Sequence, residues 1–235
     1  PDAVVIVATV RALKHHGGAA KADLTSENLD ALEKGLPNLL KHIENITVKF
    51  GLPAVVAINR FPADTEAELA LVRRKCEEMG ANVALSEVWA KGGEGGLELA
   101  EEVLRLTEKP NHFRMMYADE QPLREKIEAV VQEIYGGDGV DYLPAAAREL
   151  DKLENLGYGC LPVCMAKTQY SLSDNPALTG WPKGFRVTVK NVRLSAGAGF
   201  VVVLTGDIMT MPGLPKVPAA EAIDVDADGR ITGLF

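Results

Sequence analysis

Two aromatic residues stand where a ligand can be held. Phe61 follows the buried-strand pattern of residues 53–59, and Trp89 closes another at 82–89. In an open parallel sheet, ligands bind just beyond the carboxyl ends of the strands. If these two strands are neighbours, both rings reach the same edge. Paired aromatic faces can sandwich a flat heterocycle, each ring pair adding about 0.5–1.5 kcal/mol beyond burial. The same two rings can equally cap the core, and spacing leaves both readings open.

Two other segments carry groups suited to anions. Lys91 precedes Gly92-Gly93-Glu94-Gly95-Gly96, which leads into a helix pattern. Backbone N–H groups in such a turn can approach an anion, although a merely permissive turn has the same composition. It matches neither the G-x-x-x-x-G-K-[ST] phosphate loop nor the dinucleotide fingerprint. Arg11-Ala12-Leu13-Lys14-His15-His16-Gly17-Gly18 follows a strand and gathers two cations, two imidazoles and two glycines. It reads as a loop, serving as an anion site or as a surface and subunit contact. Adjacent histidines point apart and no third ligand is evident, so zinc is not expected. Asp224-x-Asp226-x-Asp228-Gly229 begins like a calcium loop, but Phe235 stands where the closing Glu belongs; a hairpin turn is expected instead.

The elements that must position these groups alternate in the first half. Residues 4–10 read as a strand apolar on both faces. A loop at 11–20 leads to a helix capped by Thr25 or Ser26 and running to about Lys49, kinked at Pro37. After the strand at 53–59, Thr65-x-x-Glu68 forms a capping box for a helix through Met79 that Gly80 ends. A helix at 97–107 follows the glycine turn. This order implies an α/β fold with a mostly parallel sheet flanked by helices. Lys109-Pro110-Asn111 marks a boundary between a ligand-binding core, 1–110, and a smaller mixed α+β region, 111–235. There, 121–135 and 144–155 read as helices, and 161–166, 185–194 and 200–204 as strands.

Composition narrows the function classes. A chain of 235 residues is long enough to bury a substantial core. The net charge of −8 argues against nucleic acid as the partner, and Arg73-Arg74-Lys75 reads as a solvated helix face. No apolar run approaches a membrane span of about 20 residues, and a soluble, cytoplasmic protein is expected. Cys160 and Cys164 read as small buried residues on a strand rather than a metal or redox pair. The chain opens on Pro1 in mid-pattern and reads as a piece of something longer.

Several stretches together resemble formate–tetrahydrofolate ligase. They are Val7-Ala8-Thr9-Val10-Arg11-Ala12-Leu13-Lys14-His15-His16-Gly17-Gly18, Ala57-Ile58-Asn59-Arg60-Phe61 with Asp64-Thr65, and Lys91-Gly92-Gly93-Glu94-Gly95-Gly96. Further on stand Glu133-Ile134-Tyr135-Gly136, Met165-Ala166-Lys167-Thr168-Gln169-Tyr170-Ser171-Leu172-Ser173, Gly197-Ala198-Gly199-Phe200, Met209-Thr210-Met211-Pro212-Gly213-Leu214-Pro215 and Gly233-Leu234-Phe235. The resemblance implies that ATP and formate give formyl phosphate, and that N10 of tetrahydrofolate attacks it to yield 10-formyltetrahydrofolate, ADP and phosphate. It implies Mg with the ATP, allows a monovalent cation, and points to a homotetramer. Carried onto this sequence, Phe61 and Trp89 stack on the folate ring and Leu85 lines the slot. Asn59, Pro62, Asp64, Lys91, Gly92 and Gly93 edge it, and Arg11 and Lys14 form an anionic-ligand or interface surface. The family's phosphate loop belongs to an N-terminal half not present in this sequence. The chain therefore resembles the C-terminal part, expected to be inactive alone; the alternative is a noncatalytic ligand-binding or subunit-contact module. No metal ligand set and no catalytic residue are assigned.

Overall fold

The computed structural model describes residues 1–110, 112–206 and 217–233. The motif at 209–215 and the closing Leu234-Phe235 lie outside the described residues.

The first half is built on three parallel strands in the order β1 (Val4–Ala8), β2 (Ala54–Asn59), β3 (Asn82–Ser86). The central strand is buried along nearly its whole length, as its unbroken apolar run predicts. β1 differs from expectation. Val5 is 40% and Val7 65% exposed, so only one of its faces is covered in this chain.

Residues 10–16 are not a loop but helix α1 (Val10–His16), whose N-cap Thr9 accepts a hydrogen bond from Ala12 N–H. Val10, Leu13 and Lys14 are its buried face, at the i, i+3, i+4 spacing of a helix that packs inward. Helix α2 (Leu29–Glu44) starts later than expected, capped by Asn28 rather than Thr25 or Ser26. Pro37 lies inside it, and the helix passes into a wider π turn over Asn45–Lys49. Gly17 and Gly35 let α1 and α2 touch backbone to backbone. A Cβ on Gly17 would come within 1.7 Å of Ala31 O, and one on Gly35 within 1.8 Å of Leu13 O.

Helix α3 (Glu66–Glu78) opens with the expected capping box, Thr65 and Glu68 each bonding the other's backbone N–H. Gly80 follows it in the left-handed region at φ 75°. Thr65→Ala removes one partner of this box and lowers stability by about 1 kcal/mol, read from the urea midpoint at unchanged m-value. After β3 come a short helical turn α4 (Val88–Lys91), a 3₁₀ turn (Gly92–Gly96) and α5 (Leu97–Thr107).

The second half has its own core. One cluster draws on residues between Ala8 and Ala81, another on residues between Leu123 and Val203. The elements are α6 (Leu123–Ala129) with a π turn to Tyr135, β4 (Gly139–Tyr142), α7 (Pro144–Asn155), β5 (Val163–Ala166), β6 (Arg186–Val189), β7 (Asn191–Ser195) and β8 (Phe200–Leu204). β4 pairs with β6 in parallel; β8 pairs with β5 in parallel and with β7 antiparallel. The apolar run at 185–194 is thus two strands in two sheets. Cys160 and Cys164 are exposed, not buried. The halves meet through polar contacts: Asn38 Nδ2 donates to Gly180 O (2.9 Å) and Asn45 Nδ2 to Ile134 O (2.9 Å). The Asp228-Gly229 turn closes a hairpin of β9 (Asp224–Val225) and β10 (Ile231–Thr232). Among the described residues no helix is long and apolar enough to cross a membrane.

Candidate functional site

The register of the sheet brings the two rings to one edge. Ile58 pairs with Leu85 and Asn59 with Ser86, and Arg60 N–H continues the ladder to Ser86 O (3.0 Å). Phe61 lies two residues past the end of β2 and Trp89 three past the end of β3. Both line a single open cavity of about 290 Å³, together with Arg60, Pro62, Glu87 and Ala90. Trp89 is 75% exposed, which leaves most of its indole surface free for a ligand. It sits on α4 rather than on the strand itself. The volume is at the small end for ligand pockets, suited to a flat ring system rather than a whole extended molecule.

Local hydrogen bonds set the shape of the Phe61 loop. Asp64 N–H donates to Phe61 O (3.0 Å), and Phe61 N–H donates to Asp64 Oδ2 (2.8 Å). Asp64 is buried, and burial pushes its carboxyl pKa up, against the pull of the Phe61 N–H. The guanidinium of Arg11 lies 4.9 Å from the Phe61 ring centroid, a cation–π distance.

Opposite this loop, Lys91 Nζ donates to Glu87 Oε2 (2.5 Å), and Arg60 lies 3.8 Å from Glu87. The hydrogen bond from Lys91 holds the Glu87 carboxyl below its ordinary range. Arg60 also bonds Glu66 (2.7 Å). The rim is thus a partly exposed, mixed-charge network, with Arg60 and Glu87 half-buried and Glu66 and Lys91 in solvent. Gly92, at φ 60°, adopts a backbone that side chains disfavour, and nothing lies within 4 Å of where its Cβ or that of Gly93 would be. Gly95 is tight instead: its Cβ would meet the Glu87 carbonyl at 2.5 Å.

Lys14 and Glu68 form a buried charge pair. Lys14 does not face an anion or an interface. Its side chain and that of Glu68 are both 0% exposed and joined at 2.9 Å. Lys14 also donates to Ser26 O (2.8 Å), while Glu68 accepts from Asn28 N–H (3.0 Å) and Thr65 N–H (3.2 Å). Burial alone would raise the Glu68 pKa; the Lys14 and backbone hydrogen bonds outweigh it, and the net shift is downward. The inward placement of Lys14 follows from the helix, because position 14 falls on the apolar face with Val10 and Leu13.

Of the expected site residues, Phe61, Trp89 and Pro62 line the cavity; Leu85, Asn59, Asp64, Lys91, Gly92 and Gly93 lie outside its lining. Leu85 is partly buried against the core cluster. Arg60, Glu87 and Ala90 line the cavity and were not singled out from sequence. Arg60 and Glu87 had a usable signal, since each directly follows the last residue of a strand.

Comparison with known proteins bears on this geometry. The family model for formate–tetrahydrofolate ligase matches residues 1–235. A formate–tetrahydrofolate ligase from Symbiobacterium thermophilum is 62% identical over all 235 residues. The match covers the whole of this chain and 42% of that relative's length.

Proposed function

The chain belongs to the formate–tetrahydrofolate ligase family, and from that premise we propose that it carries the folate-ring site of such a ligase. Phe61 and Trp89 hold the flat pterin between them. The observation that carries this reading is their place on one open cavity at the carboxyl ends of neighbouring parallel strands. Pro62 completes the wall, Leu85 supports the floor from the core, and Asn59, Asp64 and the Lys91-Gly92-Gly93 turn frame the rim. Arg11 acts at this site rather than at a separate anion surface.

In the full reaction ATP phosphorylates formate, and N10 of the bound tetrahydrofolate attacks the formyl phosphate. These residues bind and orient the amine's carrier. ATP and its Mg ion enter with the other substrates. The sequence has no glycine-rich phosphate loop, and the described residues contain no cluster of three metal-binding side chains. No step at the γ-phosphate is therefore assigned to this chain. We infer that the chain is the C-terminal part of a cytoplasmic homo-oligomeric enzyme, divided near residue 110 into the ring-binding unit and a mixed α/β unit.

Tetrahydrofolate titration tests the reading. Trp89 fluorescence is expected to quench saturably, with Trp181 as an internal reference. In Phe61→Ala the quench shifts to at least about tenfold higher ligand concentration, and both Phe61→Ala and Trp89→Ala weaken binding in equilibrium dialysis by a similar factor. Undiminished binding in both variants would overturn it.

A further inference from the structure

Phe61 is the more constrained of the two rings, and two groups outside the cavity constrain it. Arg11 is not among the residues lining the cavity, yet its guanidinium carbon is 4.9 Å from the Phe61 centroid. It sits over a face of the ring without contributing to the cavity wall. Its Nε is buried and has no hydrogen-bond partner among the described residues, so the ring is the contact that the geometry shows for this guanidinium. From the other direction, Asp64 Oδ2 takes the Phe61 N–H at 2.8 Å and Asp64 N–H returns to Phe61 O at 3.0 Å. This pair of bonds fixes the peptide from which the ring hangs.

The two braces are themselves anchored. Arg11 stands in the first turn of α1, whose next turn carries the buried Lys14–Glu68 pair. Asp64 precedes Thr65, the cap of α3, and Glu68 belongs to that cap. Sheet edge, α1 and α3 thus converge on one ring. A ring already held at its bound orientation loses little side-chain freedom when a ligand stacks on it, and that saving appears as affinity.

We propose that Arg11 and Asp64 are positioning residues for Phe61, the guanidinium backing the ring and the carboxylate fixing its backbone, so that the slot is formed before a flat heterocycle enters. The inference rests on the folate-ring reading for the identity of the ligand, but not for the existence of the brace.

Fluorine NMR separates the two. The chain has six phenylalanines; with 4-fluorophenylalanine in place of all of them, the Phe61 signal is the one lost in Phe61→Leu. In Arg11→Met and in Asp64→Ala the Phe61 signal moves toward that of free fluorophenylalanine while the other five hold their positions, which shows the fold is kept. Asp64→Asn retains an acceptor for the Phe61 N–H and leaves the signal near its original place. Arg11→Met also weakens tetrahydrofolate binding about three- to tenfold. A Phe61 signal unmoved in both Arg11→Met and Asp64→Ala would overturn the brace. A signal that moves in a protein showing no tetrahydrofolate binding would uphold the brace and sink the proposed ligand instead.

Discussion

Lys14→Met is expected to lower the unfolding free energy by about 3–5 kcal/mol, because it strands a buried carboxylate. Glu68 is fully enclosed, and among the described residues its one cationic partner is Lys14, at 2.9 Å. The two N–H groups from Asn28 and Thr65 remain, but they do not neutralise the charge. Linkage gives the sign of the pH dependence. In the native protein the Glu68 pKa is lowered on folding. Its contribution is therefore complete above the unfolded-state pKa and is lost as pH falls through the folded one. With Lys14 gone, its hydrogen bond and its charge no longer oppose burial, and the folded pKa moves up. The stability that the ionised carboxylate contributed is thereby lost, so the variant's deficit is largest at neutral pH and shrinks below about pH 4. Urea unfolding at both pH values measures this. A deficit independent of pH would mean that lost packing of the lysine stem, not the charge, is responsible. Lys14→Met combined with Glu68→Leu removes both charges and with them the pH dependence, but it recovers only part of the loss, because the Asn28 and Thr65 N–H groups lose their acceptor.

What could be read ahead of the structure follows from how local each signal is. α5 and α7 were legible to the residue: Gly96 precedes the first, and Pro144 stands at the first helical position of the second. α3 announced itself through Thr65, Glu68 and Gly80. α1 was missed because it is only seven residues long and its first residue, Val10, also extends the strand pattern before it. The cue lay in Thr9 followed by inward residues at 10, 13 and 14, which is helical spacing. Residues 185–194 form one uninterrupted β pattern, and their division depends on distant partners, β4 for one piece and β8 for the other. No local residue encodes that choice.

The site was legible in outline for a related reason. That a ring follows each strand is visible in the chain; that β2 and β3 are neighbours in register is not, yet it decides whether the rings share a cavity. The charged groups misled. Lys14 in a run with Arg11 and two histidines looks like part of a basic surface. The helix turns Arg11 toward Phe61 and Lys14 inward to Glu68, 54 residues away in sequence. A lysine is buried when a partner and a carbonyl take its donors, and that partner lies beyond any short-range pattern.

Gly35→Ala is the second change with a large expected effect, and here two opposing terms can be weighed. In a helix interior, alanine is intrinsically better than glycine by about 1 kcal/mol, and Gly35 has no positive φ to require its flexibility. Against that gain, the new Cβ would lie 1.8 Å from Leu13 O and 2.7 Å from Leu13 C. Both are backbone atoms, so no rotamer change relieves the overlap; α1 and α2 must separate. Overpacking a core ordinarily costs about 1–3 kcal/mol, and a collision with main chain lies at or beyond the top of that range. The net expectation is a loss of at least about 2 kcal/mol, with a lower melting temperature. The consequence reaches the site, because the displaced helix carries Arg11 and Lys14. Gly35→Ala therefore weakens ring binding without touching the cavity, whereas Gly93→Ala, with open space around its Cβ, leaves stability within about 0.5 kcal/mol. If calorimetry found Gly35→Ala as stable as the parent protein, the close approach of the two helices, and with it the anchoring of Arg11 behind Phe61, would be wrong.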